Sequence, residues 1–163
     1  MVLDQNSERL AAKHRSSGLL IDSNLLLLLA VGIYDPRRIE GFKRTARYAS
    51  SDYQRLRWFT RKFDRLWTTP NILTEVDNLG RQLPQNEVQN FSIALARLIN
   101  EHSEKSEPSS EVAEMQDFGR FGLTDAVTLA GGNAYLLLSD DLPLYSRALS
   151  AGKDAINFNH IRV

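Results

Sequence analysis

The chain has 163 residues, with 20 Lys/Arg balanced by 20 Asp/Glu, 42% hydrophobic residues and no cysteine. Its length suits one domain, and its composition is that of a chain with a packed core rather than a disordered or fibrous one. The lack of cysteine excludes disulfides, thiol catalysis and cysteine-ligated zinc or iron–sulfur centres.

Residues 1–17 are mostly polar and are predicted to form a loose arm ahead of a single domain over 18–163. Leu19 to Ile33 is strongly apolar but spans only fifteen residues and contains Asp22 and Asn24. A membrane-spanning helix needs about 20 apolar residues. No small-residue cleavage signal follows it, so the expectation is a soluble, cytoplasmic protein without a membrane partner. Within this stretch, GLLID has the form of a buried parallel strand. The leucine run 24–31 follows as a helix, with Gly32 as its stop.

Two helices are predicted over 36–66. In the second, Tyr53, Leu56, Phe59, Phe63 and Leu66 recur at three- and four-residue spacing. Arg57, Arg61 and Arg65 repeat every four residues on another face. A strand near Leu66–Thr69 and a helix opened by Pro70 and carrying Glu75 come next. A helix over 85–101, a polar loop over 102–111 and a short helix over 111–117 follow. Thr124 is placed as the cap of a further helix, with Asp125 in its first turn and Gly131-Gly132 at its end. AYLLLSDD, a helix over 142–150 and AINF complete the pattern. Strands alternating with helices predict an α/β fold with a parallel sheet.

The acids of this pattern share a placement. Asp22 and the pair Asp140-Asp141 end strands, Glu75 lies on the helix after a strand, and Asp125 opens a helix. Ligands of open parallel sheets bind at the carboxyl ends of the strands. Each like-charged pair about 4 Å apart costs about 4 kcal/mol at an effective dielectric of about 20, so such a cluster calls for a cation or a proton. Oxygen ligands select Mg²⁺ or Mn²⁺ over zinc. Taken singly, Asp125 suits a helix first turn, and Asn24 or either of Asp140 and Asp141 suits a helix cap. Asp22 fits such a use least, amid nine leucines and isoleucines. The three histidines have no metal-ligand spacing, and no phosphate-binding glycine loop occurs. A phosphatase reading is disfavoured, since its D-x-D-x-T motif needs Asp at position 24, which is Asn24.

Charge is segregated. Residues 37–65 carry ten Lys/Arg and three Asp/Glu, while 101–117 carries six acids and one lysine. A basic ridge draws polyanions, and Arg57, Arg61 and Arg65 are its candidate RNA contacts.

In order, GLLIDSNLLLLL, TTPNILTEV, GLTDAVTLA and LLLSDD resemble the four acidic motifs of PIN-domain ribonucleases. The resemblance runs from about residue 18 to 159. It implies a three-layer α/β/α sandwich with a central parallel sheet and Mg²⁺- or Mn²⁺-dependent endoribonuclease activity. By this resemblance Asp22, Glu75, Asp125 and Asp141 are the catalytic, metal-holding acids. Asp140 is a neighbouring candidate ligand, and Asn24 and Ser139 are supporting polar residues. RNA is the implied substrate. Family members include toxins held by an antitoxin or other inhibitory protein, and homodimers, so those partners enter as expectations. The segment between the first two motifs is longer and more basic than in the small toxin members. The alternative reading is a non-catalytic PIN-like module that binds RNA or a protein.

Overall fold

The computed structural model describes residues 1–162. The N-terminal arm is a helix, α1 (Gln5–Lys13), rather than loose chain. Asp4 caps it by accepting from the amides of Asn6 and Ser7, and Leu3, Leu10 and Ala11 are buried. Beyond it, His14 Nε2 lies 2.7 Å from Asp154 Oδ2, and Lys13 Nζ 2.6 Å from the same oxygen. Few apolar residues sit here, but each is placed to dock, which a window average over 1–17 conceals.

Strand β1 (Leu19–Ile21) leads into α2 (Ser23–Tyr34). The helix does not stop at Gly32. A Cβ at that position would lie 2.3 Å from Cδ2 of Tyr53, so the glycine admits a ring from the next helix instead of ending its own. The first of the two helices predicted over 36–66 is not regular. Pro36–Arg38 is a 3₁₀ turn, and the chain continues in turns to Tyr48. Buried Ile39, Phe42, Thr45 and Tyr48 recur every three residues, and Thr45 and Tyr48 donate their amides three residues back. That is the period of a 3₁₀ chain rather than an α-helix.

Helix α3 (Ser50–Thr60) precedes β2 (Leu66–Thr68), α4 (Pro70–Gly80), α5 (Gln85–Glu101) and β3 (Ser103–Glu104). The two-residue β3 falls within the expected polar loop. Helices α6 (Ser109–Ala113) and α7 (Gln116–Ala130), β4 (Leu136–Ser139), α8 (Leu142–Ser150) and β5 (Ala155–Asn157) follow. At Gly122, φ 80° and ψ 174° break α7 into two stretches, so the stretch carrying Asp125 starts at this kink rather than at a Thr124 cap.

The five strands are all parallel, in the order β3-β2-β1-β4-β5. Connections from β1 to β2 to β3 step one way across the sheet, and those from β3 to β4 to β5 step the other. Right-handed crossovers therefore put α2–α5 on one face and α6–α8 on the other, making an α/β/α sandwich. The order reverses between β1 and β4, which is the switch point of the sheet. Central β1 and β4 are wholly buried, and α2 buries a run of apolar residues and Gly32 on its way across the face. No helix is long and apolar enough to cross a membrane among the described residues.

Candidate active site at the sheet switch point

Strands β1 and β4 are neighbours, with Ile21 opposite Leu138, so the residues after each strand meet at the carboxyl edge. Asp22 is 6% exposed and is itself the cap of α2, a role the sequence also offered to Asn24. Its Oδ1 accepts from the Leu25 amide at 3.0 Å. Its Oδ2 accepts from Ser139 Oγ and from the Asp140 amide at 3.3 Å. Burial, reinforced by the negative charge of Asp140, pushes the Asp22 carboxyl up to about 7, against the pull of these donors. Ser139 is fully buried, and its Oγ also accepts from the Asp141 amide at 3.0 Å. One hydroxyl thus ties the first acid to the strand end that carries the last. Asn24 is half-buried in the first turn of α2.

The two adjacent aspartates separate in role. Asp141 caps α8, accepting from the Leu144 amide at 2.9 Å. The Asp140 carboxylate is only 4% exposed and is held by Arg47, 2.9 Å away, and by the Tyr48 hydroxyl. Burial first and Asp140 second drive the Tyr48 phenol far above its ordinary value, so it remains a donor at every physiological pH. Arg162 fastens this arrangement from behind. It pairs with Asp52 at 2.9 Å and donates to the Arg47 carbonyl at 3.0 Å.

Asp125 comes from α7 on the opposite face of the sheet. Its carboxyl is raised to about 6, by burial first, then by the charges of Asp141 and Glu75. Those three acids therefore share one field although Glu75 and Asp141 lie about 50 and 16 residues from Asp125 in sequence. Glu75 is exposed on α4 and lines, with Thr74, Asn78 and Thr124, a groove of about 440 Å³. The acids thus form two linked subsets, Asp22 with Asp140 and Asp125 with Asp141 and Glu75. No three His, Cys, Asp or Glu side chains stand close enough to hold one ion together among the described residues. The donor set is nonetheless wholly oxygen, the kind that suits a hard divalent cation.

Arg47 and Tyr48 were not singled out in the sequence. Their only local signal is the three-residue period that ends at Tyr48, which speaks of burial and not of a carboxylate partner.

The expected arginine ridge is corrected. Helix α3 ends at Thr60, Arg61 is its C-terminal cap, and Arg65 lies beyond the turn, directly before β2. Phe63, needed in the core, draws the chain out of the helix: its amide donates to Thr60 and Asp64's to Arg15. Arg57, Arg61 and Arg65 do line one groove, of about 620 Å³. That groove adjoins Leu66, where β2 begins, so it lies at the amino edge, across the sheet from the acids.

No family model, no curated protein and no solved structure matches this chain.

Proposed function

We propose that this chain is a divalent-metal-dependent endoribonuclease of PIN type, in which Asp22, Glu75, Asp125 and Asp141 form the reactive centre. What supports the reading is the placement, toward the carboxyl edge of a parallel sheet, of acids from four separate segments, with the carboxyls of Asp22 and Asp125 raised by burial first and by neighbouring acids second. Carboxylates in that condition lack a counter-charge, and Asp22, Asp125, Asp141 and Glu75 are the residues that would hold one. A bound Mg²⁺ or Mn²⁺ supplies activation of water and neutralisation of charge on the phosphate and leaving oxygens.

The chain's own residues set the stage for that chemistry. Ser139 and the Leu25 amide fix the Asp22 carboxylate in one orientation. Asp140, clamped by Arg47 and Tyr48, is a positioning group, which leaves Asp141 as the fourth acid. By resemblance, the products carry 5′-phosphate and 3′-hydroxyl ends. A toxin's role, an antitoxin or other inhibitory partner, a homodimer and a cytoplasmic location belong to the same reading.

The test is incubation of the purified chain with end-labelled single-stranded RNA in Mn²⁺, Mg²⁺ and EDTA, beside Asp22→Asn. Internal cleavage by the wild type with metal, absent in EDTA and in the variant, is expected. A second reading draws support from the separation of the acids into two subsets: a non-catalytic module of the same fold that binds RNA or a protein. RNA binding without cleavage under every metal condition would favour it.

A further inference from the structure

The groove at the amino edge is ringed by arginines. Arg57 and Arg61 reach it from the end of α3, Arg65 from the approach to β2, and Arg97 from α5. Among the described residues, Arg57, Arg61 and Arg65 form no ion pair. The two acids on the groove wall are already paired, Glu101 with Arg97 of the same groove at 2.8 Å and Asp64 with Arg15 at 3.5 Å. Three guanidinium groups therefore stand without a carboxylate around a ligand-sized space.

Two features argue against RNA as the occupant. The aromatic faces nearby are already covered: the Arg57 guanidinium lies 5.7 Å from the Tyr53 ring centre, and that of Arg65 lies 5.3 Å from Trp67. Bases would have to displace these guanidinium groups to stack there, and such stacking is a main source of single-strand affinity. Beneath the cations Ile33 and Leu66 are half-buried apolar side chains, with Leu29, Phe63 and Leu98 buried behind them. A phosphate backbone gains nothing from such apolar side chains, whereas an amphipathic peptide does.

The apolar surface also continues. A second hollow, of about 300 Å³, shares Ile33 and Arg97 with the first and extends along α5 past Ile93, which is 63% exposed. From Asn90 to Glu101 the combined trough follows α5 for about 17 Å, the length of a helix of about 11 residues.

We propose that this trough binds an acidic amphipathic helix of a partner protein, its carboxylates against Arg57, Arg61 and Arg65 and its apolar face on Ile33 and Ile93. The arginines predicted as RNA contacts are thereby assigned to a protein ligand. The assignment stands whether or not the acids at the other edge cleave RNA.

Fluorescence anisotropy tests it on the full chain with three probes. These are a labelled peptide of about 11 residues with glutamate on one helical face and leucine on the other, the same peptide with glutamine for glutamate, and a labelled oligouridine in EDTA. The acidic peptide is expected to bind at least about tenfold tighter than the glutamine one, and to lose that margin in Arg57→Gln/Arg61→Gln/Arg65→Gln. Ile93→Glu, at an exposed position, should weaken the acidic peptide severalfold with circular dichroism unchanged, which guards against misfolding of the triple variant. The salt dependence of oligouridine binding should be the same in wild type and triple variant. A slope shallower by about 2 in the triple variant would put RNA in the groove instead. Equal affinity for both peptides, or indifference to both sets of substitutions, would also overturn the proposal.

Discussion

Replacing Asp22 by asparagine should stabilise the metal-free protein, and do so only above a definite pH. In the unfolded chain the carboxyl titrates at its ordinary 3.8; in the fold, burial and Asp140 hold it at about 7. Below pH 3.8 both states keep the proton and the group contributes no pH dependence. Between about 4 and 7 the unfolded chain releases its proton while the folded one retains it, so stability falls as pH rises. Above 7 the loss is complete, with a ceiling of about 4 kcal/mol at 1.36 kcal/mol for each pH unit separating the two values. Relaxation of the site takes up part of this, leaving about 2 kcal/mol. Asparagine removes the ionisation yet keeps an oxygen for the Leu25 amide, and it is a good helix cap. In urea titrations with EDTA, the variant should match the wild type near pH 4 and exceed it by about 2 kcal/mol at pH 8. At about 2–4 °C per kcal/mol, its melting temperature at pH 8 should rise by about 4–8 °C. A stability difference that is the same at both pH values, or a variant weaker at pH 8, would refute the reasoning.

Divalent metal should reverse that order. Millimolar Mg²⁺ or Mn²⁺ at about a hundredfold excess over Kd stabilises the wild type by about 2.7 kcal/mol, and Asp22→Asn or Asp125→Asn should lose most of the gain. Melting that is indifferent to metal would count against an ion at these acids. Ser139→Ala removes the hydroxyl that donates to Asp22 and accepts from the Asp141 amide. It should lower stability by about 1–3 kcal/mol, raise the Asp22 midpoint further, and depress RNA cleavage. Urea denaturation, the NMR titration of the Asp22 side chain and the cleavage assay check the three effects. Gly32→Ala drives a methyl within 2.3 Å of the Tyr53 ring and should cost about 1–3 kcal/mol by denaturation. An unchanged midpoint would show that α3 can yield there.

The order of strands and helices was legible because buried parallel strands and amphipathic helices leave local patterns. GLLID, LLLSDD and the apolar spacing of 85–101 became β1, β4 and α5 with boundaries close to those expected. The acids were legible as strand-end and first-turn residues for the same reason: in a parallel sheet the residue after each strand lies at the carboxyl edge. Other features were decided only by residues distant in sequence. Whether Gly32 stops α2 depends on the Tyr53 ring, and whether 1–17 is an arm depends on Asp154, 140 residues beyond His14. The two-residue β3 exists because β2 offers an open edge, not because Ser103-Glu104 favours a strand. Asp140 and Asp141 are identical to any local rule, and it was Arg47 and Tyr48, packed against one and not the other, that gave them different work. The sequence by itself determined the layers and brought the acids to one edge, since both follow from periodicity and chain direction. The tertiary structure alone decided which charges are neutralised and where the free arginines lie, since Coulombic partners act through space and leave no period in the chain.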